Sequence, residues 1–294
     1  MKNAKGAAIL FALLAAVFYA VNMPVSKLLL AHIDGTILAG LLYLGAGIGV
    51  FLLSVRRKSG ASERLTKDDL PYVIGMIALD IAAPICLMLG LNRTSAANAS
   101  LLNNFEIVAT AVIALAVFKE AISKRLWIAI ALVTLSSGVL TFEGASSLRL
   151  SWGSLFVLLA AVLWGFENNC TRKISSKDVF EIVTLKGIFS GAGSLLVGFL
   201  LGERLPAAPC VLLSLLLGFV AYGLSIYFYI RAQSVIGAAR TSAYYAVAPF
   251  IGALLSLVFL KEPLSPQYFI ALAIMLVGSG MIVFDTVGGA EKSH

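Results

Sequence analysis

The residues with the strongest claim to chemistry are Asn103, Asn104 and Glu106, which sit inside the stretch AANASLLNNFEIVATAVIALAVFKE, positions 96–120. The stretch is otherwise apolar and long enough to cross a bilayer, for which about 20 residues are needed. A carboxylate at the bilayer centre costs about 2.5–3.5 kcal/mol on insertion scales, so it normally faces a cavity or a partner. On a helical wheel Asn103, Glu106 and Thr110 fall at i, i+3 and i+7, a single polar stripe on an apolar rod. Such a stripe either lines a binding cavity, where the acid meets a cationic group or carries a proton, or forms a buried polar knot between helices.

The rest of the chain supplies elements able to carry that stripe. Of 294 residues 60% are hydrophobic and only 13% charged, the composition of a polytopic membrane protein. Apolar segments fall at about 6–29, 35–55, 71–91, 95–118, 124–142, 152–173, 179–201, 209–230, 238–260 and 266–285. The expectation is an all-α membrane protein of ten transmembrane helices with no extramembrane domain. Lys2 and Lys5 precede an apolar run that imitates a signal peptide, but many spans follow, so it reads as a first span. With the N-terminus cytoplasmic, every Lys and Arg falls on that side except Lys27, Arg93, Arg149, Arg204 and Lys261, with Lys186 inside a span. This bias places both termini inside and accounts for the +7 charge without a nucleic-acid partner. Cys86, Cys170 and Cys210 are scattered in or beside spans and read as reduced packing residues.

The two halves repeat each other. LLAAV at 13–17 returns at 158–162, an offset of 145; Lys119-Glu120 returns as Lys261-Glu262, an offset of 142. At that second offset Ala96-Ala97 matches Ala238-Ala239, Ser100 matches Ser242, Ser123 matches Ser265, Ser137-Gly138 matches Ser279-Gly280, and Phe142 matches Phe284. Five spans per half is odd, so the second half enters the membrane from the opposite side, an inverted repeat with halves 1–145 and 146–294.

The alignment exposes further polar faces. Tyr19, Asn22 and Ser26 in the first span match Trp164, Glu167 and Thr171 in the sixth: a ring, a hydrogen-bonding group and a hydroxyl at i, i+3 and i+7. Asn168 adjoins Glu167 on that face, whereas Asn169 points elsewhere. Asp80 aligns with Tyr222, whose stripe continues through Ser225 and Tyr229, and Tyr245 aligns with Asn103. Pro249, just beyond the position matching Glu106, permits a kink or hinge or simply packs. Lys186 lies at a depth similar to Glu167, so an ion pair would neutralise both and leave Glu106 and Asp80 as free acids. The candidate substrate-binding residues are Tyr19, Asn22, Asp80, Asn103, Glu106, Trp164, Glu167, Asn168, Tyr222 and Tyr245.

No HExxH, GxSxG or phosphate loop is present, and His32 and His294 lie outside the apolar core, so no catalytic, metal or cofactor site is assigned. Gly45, Gly47 and Gly49 imitate a dinucleotide fingerprint but lie inside a span, where they and the Gly187/Gly191 pair read as close helix packing. No ATPase module is visible in the sequence.

With spans and repeat laid out, the chain resembles the EamA-like branch of the drug/metabolite transporter superfamily over residues 7–285. The resemblance rests on the unit openings LLAAVFYAVNMPVSK and LLAAVLWGFENNCTRK and on the AA…S…apolar…KE…S pattern at 96–123 and 238–265. It departs where relatives carry Pro in both repeats: Ile107, preceded by Glu106, stands opposite Pro249, which puts symmetric hinging in doubt. The resemblance implies a basket of helices around a central cavity and transport of small metabolites, commonly outward. The expectation is an inner-membrane secondary transporter, not an enzyme, exporting small amino-acid-like or amine metabolites by alternating access, with a possible coupling proton. Amides and rings would give hydrogen bonds and cation–π contacts, and no central arginine awaits a dianion. The lipid bilayer and a small-molecule substrate are the expected partners, the chain acting as a monomer or weak homodimer. The alternatives are a non-transporting membrane scaffold or sensor, and a membrane-embedded lipid-modifying enzyme.

Overall fold

In the computed structural model the described residues are 2–55, 63–118, 124–141, 151–236, 241, 244–261 and 265–289, and their regular structure is helical throughout. The helices are α1 (Lys2–Ala20), α2 (Asn22–Leu29), α3 (Gly35–Val55), α4 (Leu70–Arg93), α5 (Ala96–Leu102), α6 (Phe105–Phe118) and α7 (Lys124–Thr141). They continue with α8 (Trp152–Ile174), α9 (Val179–Leu200), α10 (Ala208–Gly218), α11 (Ser225–Ile236), α12 (Ala248–Leu260) and α13 (Pro266–Gly289). Several starts are set by side chains. Ser95 Oγ accepts from the amide of Asn98 to open α5, and Asp178 Oδ1 accepts from the amides of Phe180 and Glu181 to open α9, satisfying donors that a helix start leaves unpaired.

Among the described residues six helices are long and apolar enough to cross a membrane: Gly6–Leu29, Gly35–Val55, Lys67–Arg93, Trp152–Ile174, Val179–Leu200 and Ala208–Ala232. Large apolar side chains point outward from them, among them Leu52, Leu200 and Leu212. A continuous apolar exterior of this kind matches hydrocarbon, not water.

The helices pair mainly across the two halves. α3 packs on α9, α4 and α6 on α8, α7 on α13, α1 on α11 and α5 on α12. Neither half therefore encloses its polar stripes alone. The α3–α9 seam depends on small residues, since a Cβ placed on Gly187 would overlap the backbone of Gly47. Gly45 and Gly49 likewise receive Leu215 and Phe219 closely, so the glycine cluster serves helix packing as expected.

Four apolar stretches depart from straight α-helix, each beside candidate polar residues. α1 and α2 part at Val21, next to Asn22. α5 and α6 part at Asn103 and Asn104, immediately before Glu106. A π-helical turn, Phe219–Leu224, joins α10 to α11 and contains Tyr222. A turn at Ala246 and Val247 separates Tyr245 from α12. The break occurs in both halves although only one carries proline, because two asparagines interrupt the first while Pro249 sits in the opening turn of α12, where its missing N–H is harmless. The repeat matches at Lys119, Glu120, Ser123, Phe142, Ala238, Ala239, Ser242 and Glu262 lie outside the described residues.

Candidate functional site

Three helices place charged groups against one another in the interior. The ammonium of Lys186 on α9 lies 2.8 Å from Glu167 Oε1 on α8 and 3.1 Å from Asp80 Oδ2 on α4. The second contact is an ion pair without hydrogen-bond alignment. Asp80 Oδ1 accepts from the Tyr43 hydroxyl at 2.8 Å, and that hydroxyl oxygen accepts from Trp164 Nε1 at 3.4 Å. The Thr171 hydroxyl donates to Glu167. Asp80 is 0% exposed, Glu167 2% and Lys186 6%. Taking such groups out of water is costly, and mutual attraction with added donors is what offsets it. The expected Glu167–Lys186 pair forms. The expectation that this pairing leaves Asp80 free is corrected: Lys186 reaches both acids, because α4 and α8 pack together and α9 lies against α4.

Glu106 has different surroundings. It stands in the first turn of α6, and its Oε1 accepts from Asn168 Nδ2 at 2.7 Å. The same amide nitrogen lies 3.2 Å from Thr110 Oγ1, whose hydroxyl donates to the Glu106 carbonyl at 2.8 Å. No Lys or Arg among the described residues makes an ion pair with Glu106. The residue as a whole is half-buried. Asn169, read from the sequence as pointing elsewhere, is also turned toward α6: its Nδ2 donates to Gly165 O at 2.8 Å and to Thr110 O at 3.3 Å.

The remaining candidates form a ring-and-amide cluster. Asn22 Nδ2 donates to the Tyr222 hydroxyl at 3.1 Å while Asn22 Oδ1 accepts from Ser26 at 2.9 Å. Asn103 Nδ2 donates to the Tyr19 hydroxyl at 3.3 Å. Tyr19 packs against Tyr222 and Tyr245, each with ring centroids 5.9 Å apart. Tyr43 contacts Tyr222 at 5.0 Å and so joins the cluster to the ion network. Beside it Asn104 is buried with neither amide atom hydrogen-bonded. Among the described residues no group of three His, Cys, Asp or Glu could hold a metal ion.

The description "EamA-like transporter family" matches residues 6–142 and again residues 151–284. The chain belongs to the EamA-like transporter family. Relatives include an "Uncharacterized transporter" of Methanothermobacter thermautotrophicus, 24% identical over 90% of this chain and 82% of its own length. Another "Uncharacterized transporter", from Clostridium kluyveri, is 25% identical over 92% of this chain and 91% of its own. A solved crystal structure superimposes with a TM-score of 0.70 at 16% identity, covering 93% of this chain and 94% of its own, which shows a shared fold. Family and apolar helices together make the chain a membrane transporter.

All ten sequence-derived candidates of this EamA-like chain thus fall into two linked groups, the ring-and-amide cluster and the acids with their partners. Sequence reasoning missed Tyr43, which couples the two. Its signal was a single hydroxyl-bearing ring in the otherwise apolar GLLYLG, too weak without knowledge that α3 faces Asp80.

Proposed function

We propose that the chain is a secondary transporter, not an enzyme, that moves a small amine or amino-acid-like metabolite outward across a cell membrane by alternating access. In this reading ten spans form two inverted five-helix units, 1–145 and 146–294, with both termini cytoplasmic and one chain sufficient for transport. Tyr19, Asn22, Asn103, Glu106, Trp164, Asn168, Tyr222 and Tyr245 line the substrate path, while Asp80 and Glu167 border it and share Lys186.

The observation that carries the reading is Glu106: a half-buried carboxylate beside a helix break, held by an amide and with no ion pair to a described basic residue. Acids inside apolar spans are retained where they meet a ligand, a proton or a partner, and broken helices are where transporters build binding sites. The nearby tyrosine rings offer negative faces to an ammonium group. Cross-half pairing of the helices and the paired breaks at 103–104 and 246–247 fit two units rocking about a shared centre.

Flux through purified protein in liposomes tests the proposal. Counterflow of a labelled amine, lost in Glu106→Gln, is the expected result; flux of dicarboxylates or phosphate esters, unaffected by that substitution, overturns it.

A further inference from the structure

Resting on the reading of Glu106 as an ammonium site, and narrowing the amine or amino-acid-like range to one class, we propose that Lys186 sets the charge specificity of the carrier, making it a site for monoamines that rejects both diamines and zwitterionic amino acids. The ammonium of Lys186 stands between Asp80 and Glu167 at 3.1 and 2.8 Å, the place a second substrate ammonium would otherwise take. The two acids are also supplied with hydroxyl donors from Tyr43 and Thr171. They are 0% and 2% exposed, so neither presents a free face to a ligand. Glu106, by contrast, is a half-buried residue with only the neutral Asn168 amide against its carboxylate. Glu106 and Glu167 are close in space, since Glu106 bonds to the residue that follows Glu167 on α8. A diamine that reached Glu106 would therefore bring its second charge against Lys186.

The same residue explains rejection of a carboxylate. A zwitterion needs a cationic partner for its anionic end, and Lys186 is the one buried basic side chain among the described residues. Its ammonium already faces two acids, and three carboxylates against one ammonium repel a fourth. The helix seam fixes this position: Lys186 precedes Gly187, whose contact with the backbone of Gly47 fixes the depth and rotation of α9.

A matched set of probes tests the idea on the full-length protein in detergent by calorimetry: 1-aminopentane, 1,5-diaminopentane, and norleucine, which is 1-aminopentane with a carboxylate added at the amine-bearing carbon. Wild type is expected to bind 1-aminopentane at least about tenfold more tightly than the other two, and Glu106→Gln to lose that binding. In Lys186→Ala the vacated slot accepts the second ammonium, and the diamine-to-monoamine affinity ratio rises by about tenfold or more. If that variant does not fold, Lys186→Ala with Asp80→Asn removes the charge excess and still leaves Glu167 for the second ammonium, with the same rise expected. Monoamine binding that depends on Glu106 while the ratio stays fixed in both lysine variants overturns the role of Lys186 alone. Equal wild-type affinity for norleucine and 1-aminopentane does so as well. Absence of amine binding, or binding indifferent to Glu106→Gln, overturns the Glu106 reading and this inference together.

Discussion

The ion network around Lys186 and the amide-held Glu106 are two answers to one problem, an acid in an apolar interior. In the first, a lysine from α9 neutralises acids on α4 and α8, and the Tyr43 and Thr171 hydroxyls each donate to one of them. In the second, α6 presents a half-buried acid to a neutral amide. The contrast separates holding helices together from holding a ligand. A charge that finds its counterion within the fold is committed to the fold, whereas a charge met only by neutral donors is available to something that comes and goes.

The widest gap between the two regions lies in stability. Lys186→Ala leaves two buried acids facing each other and is expected to cost about 3–5 kcal/mol, read as a large fall in the unfolding midpoint in detergent. The charge-free triple variant Asp80→Asn, Glu167→Gln and Lys186→Met stays within about 1 kcal/mol of wild type by the same measurement, because the desolvation penalty goes with the attraction. If both variants collapse alike, packing around the network outweighs its charge.

Glu106→Gln sharpens the comparison from the other side. It keeps the shape and the Asn168 contact, so the unfolding midpoint barely moves, while amine affinity or flux falls by about a hundredfold. A melt as severe as that of Lys186→Ala would make Glu106 a structural polar knot. Asn168→Ala removes the amide that orients the carboxylate but leaves its charge, and a smaller loss of about tenfold in amine affinity is expected by calorimetry. The smallest effect belongs to an ion pair outside the interior. Lys177 lies 3.2 Å from Glu63 and 3.8 Å from Asp69, and Lys177→Ala should shift unfolding by under about 1 kcal/mol and diminish further with added salt.

Much of this protein is local information. Apolar runs of span length, small residues at four-residue spacing and polar residues at i, i+3 and i+7 are written along one helix at a time. They pointed to an all-helical membrane protein, to the repeat and to the ten candidate residues without reference to any neighbour. The repeat also pointed to a disturbance near Pro249, and the structure found its counterpart at Asn103 and Asn104. That counterpart was hard to foresee, because asparagine's modest helix propensity is a weaker signal than the missing N–H of proline.

What the sequence could not decide is which acid meets which base. The periodicity of α4, α8 and α9 says which side of each helix is polar, but not the depth or rotation at which one lies against the next. Those are set by contacts such as Gly187 on Gly47, between residues far apart in the chain. A shift of one helical turn, about 5.4 Å, would carry the Lys186 ammonium out of range of both acids. The sequence by itself determined a membrane transporter of this family with acids in its interior. Only the tertiary packing decided that Asp80 and Glu167 share a lysine while Glu106 is left to a neutral amide, because pairing across helices depends on geometry that no single helix encodes.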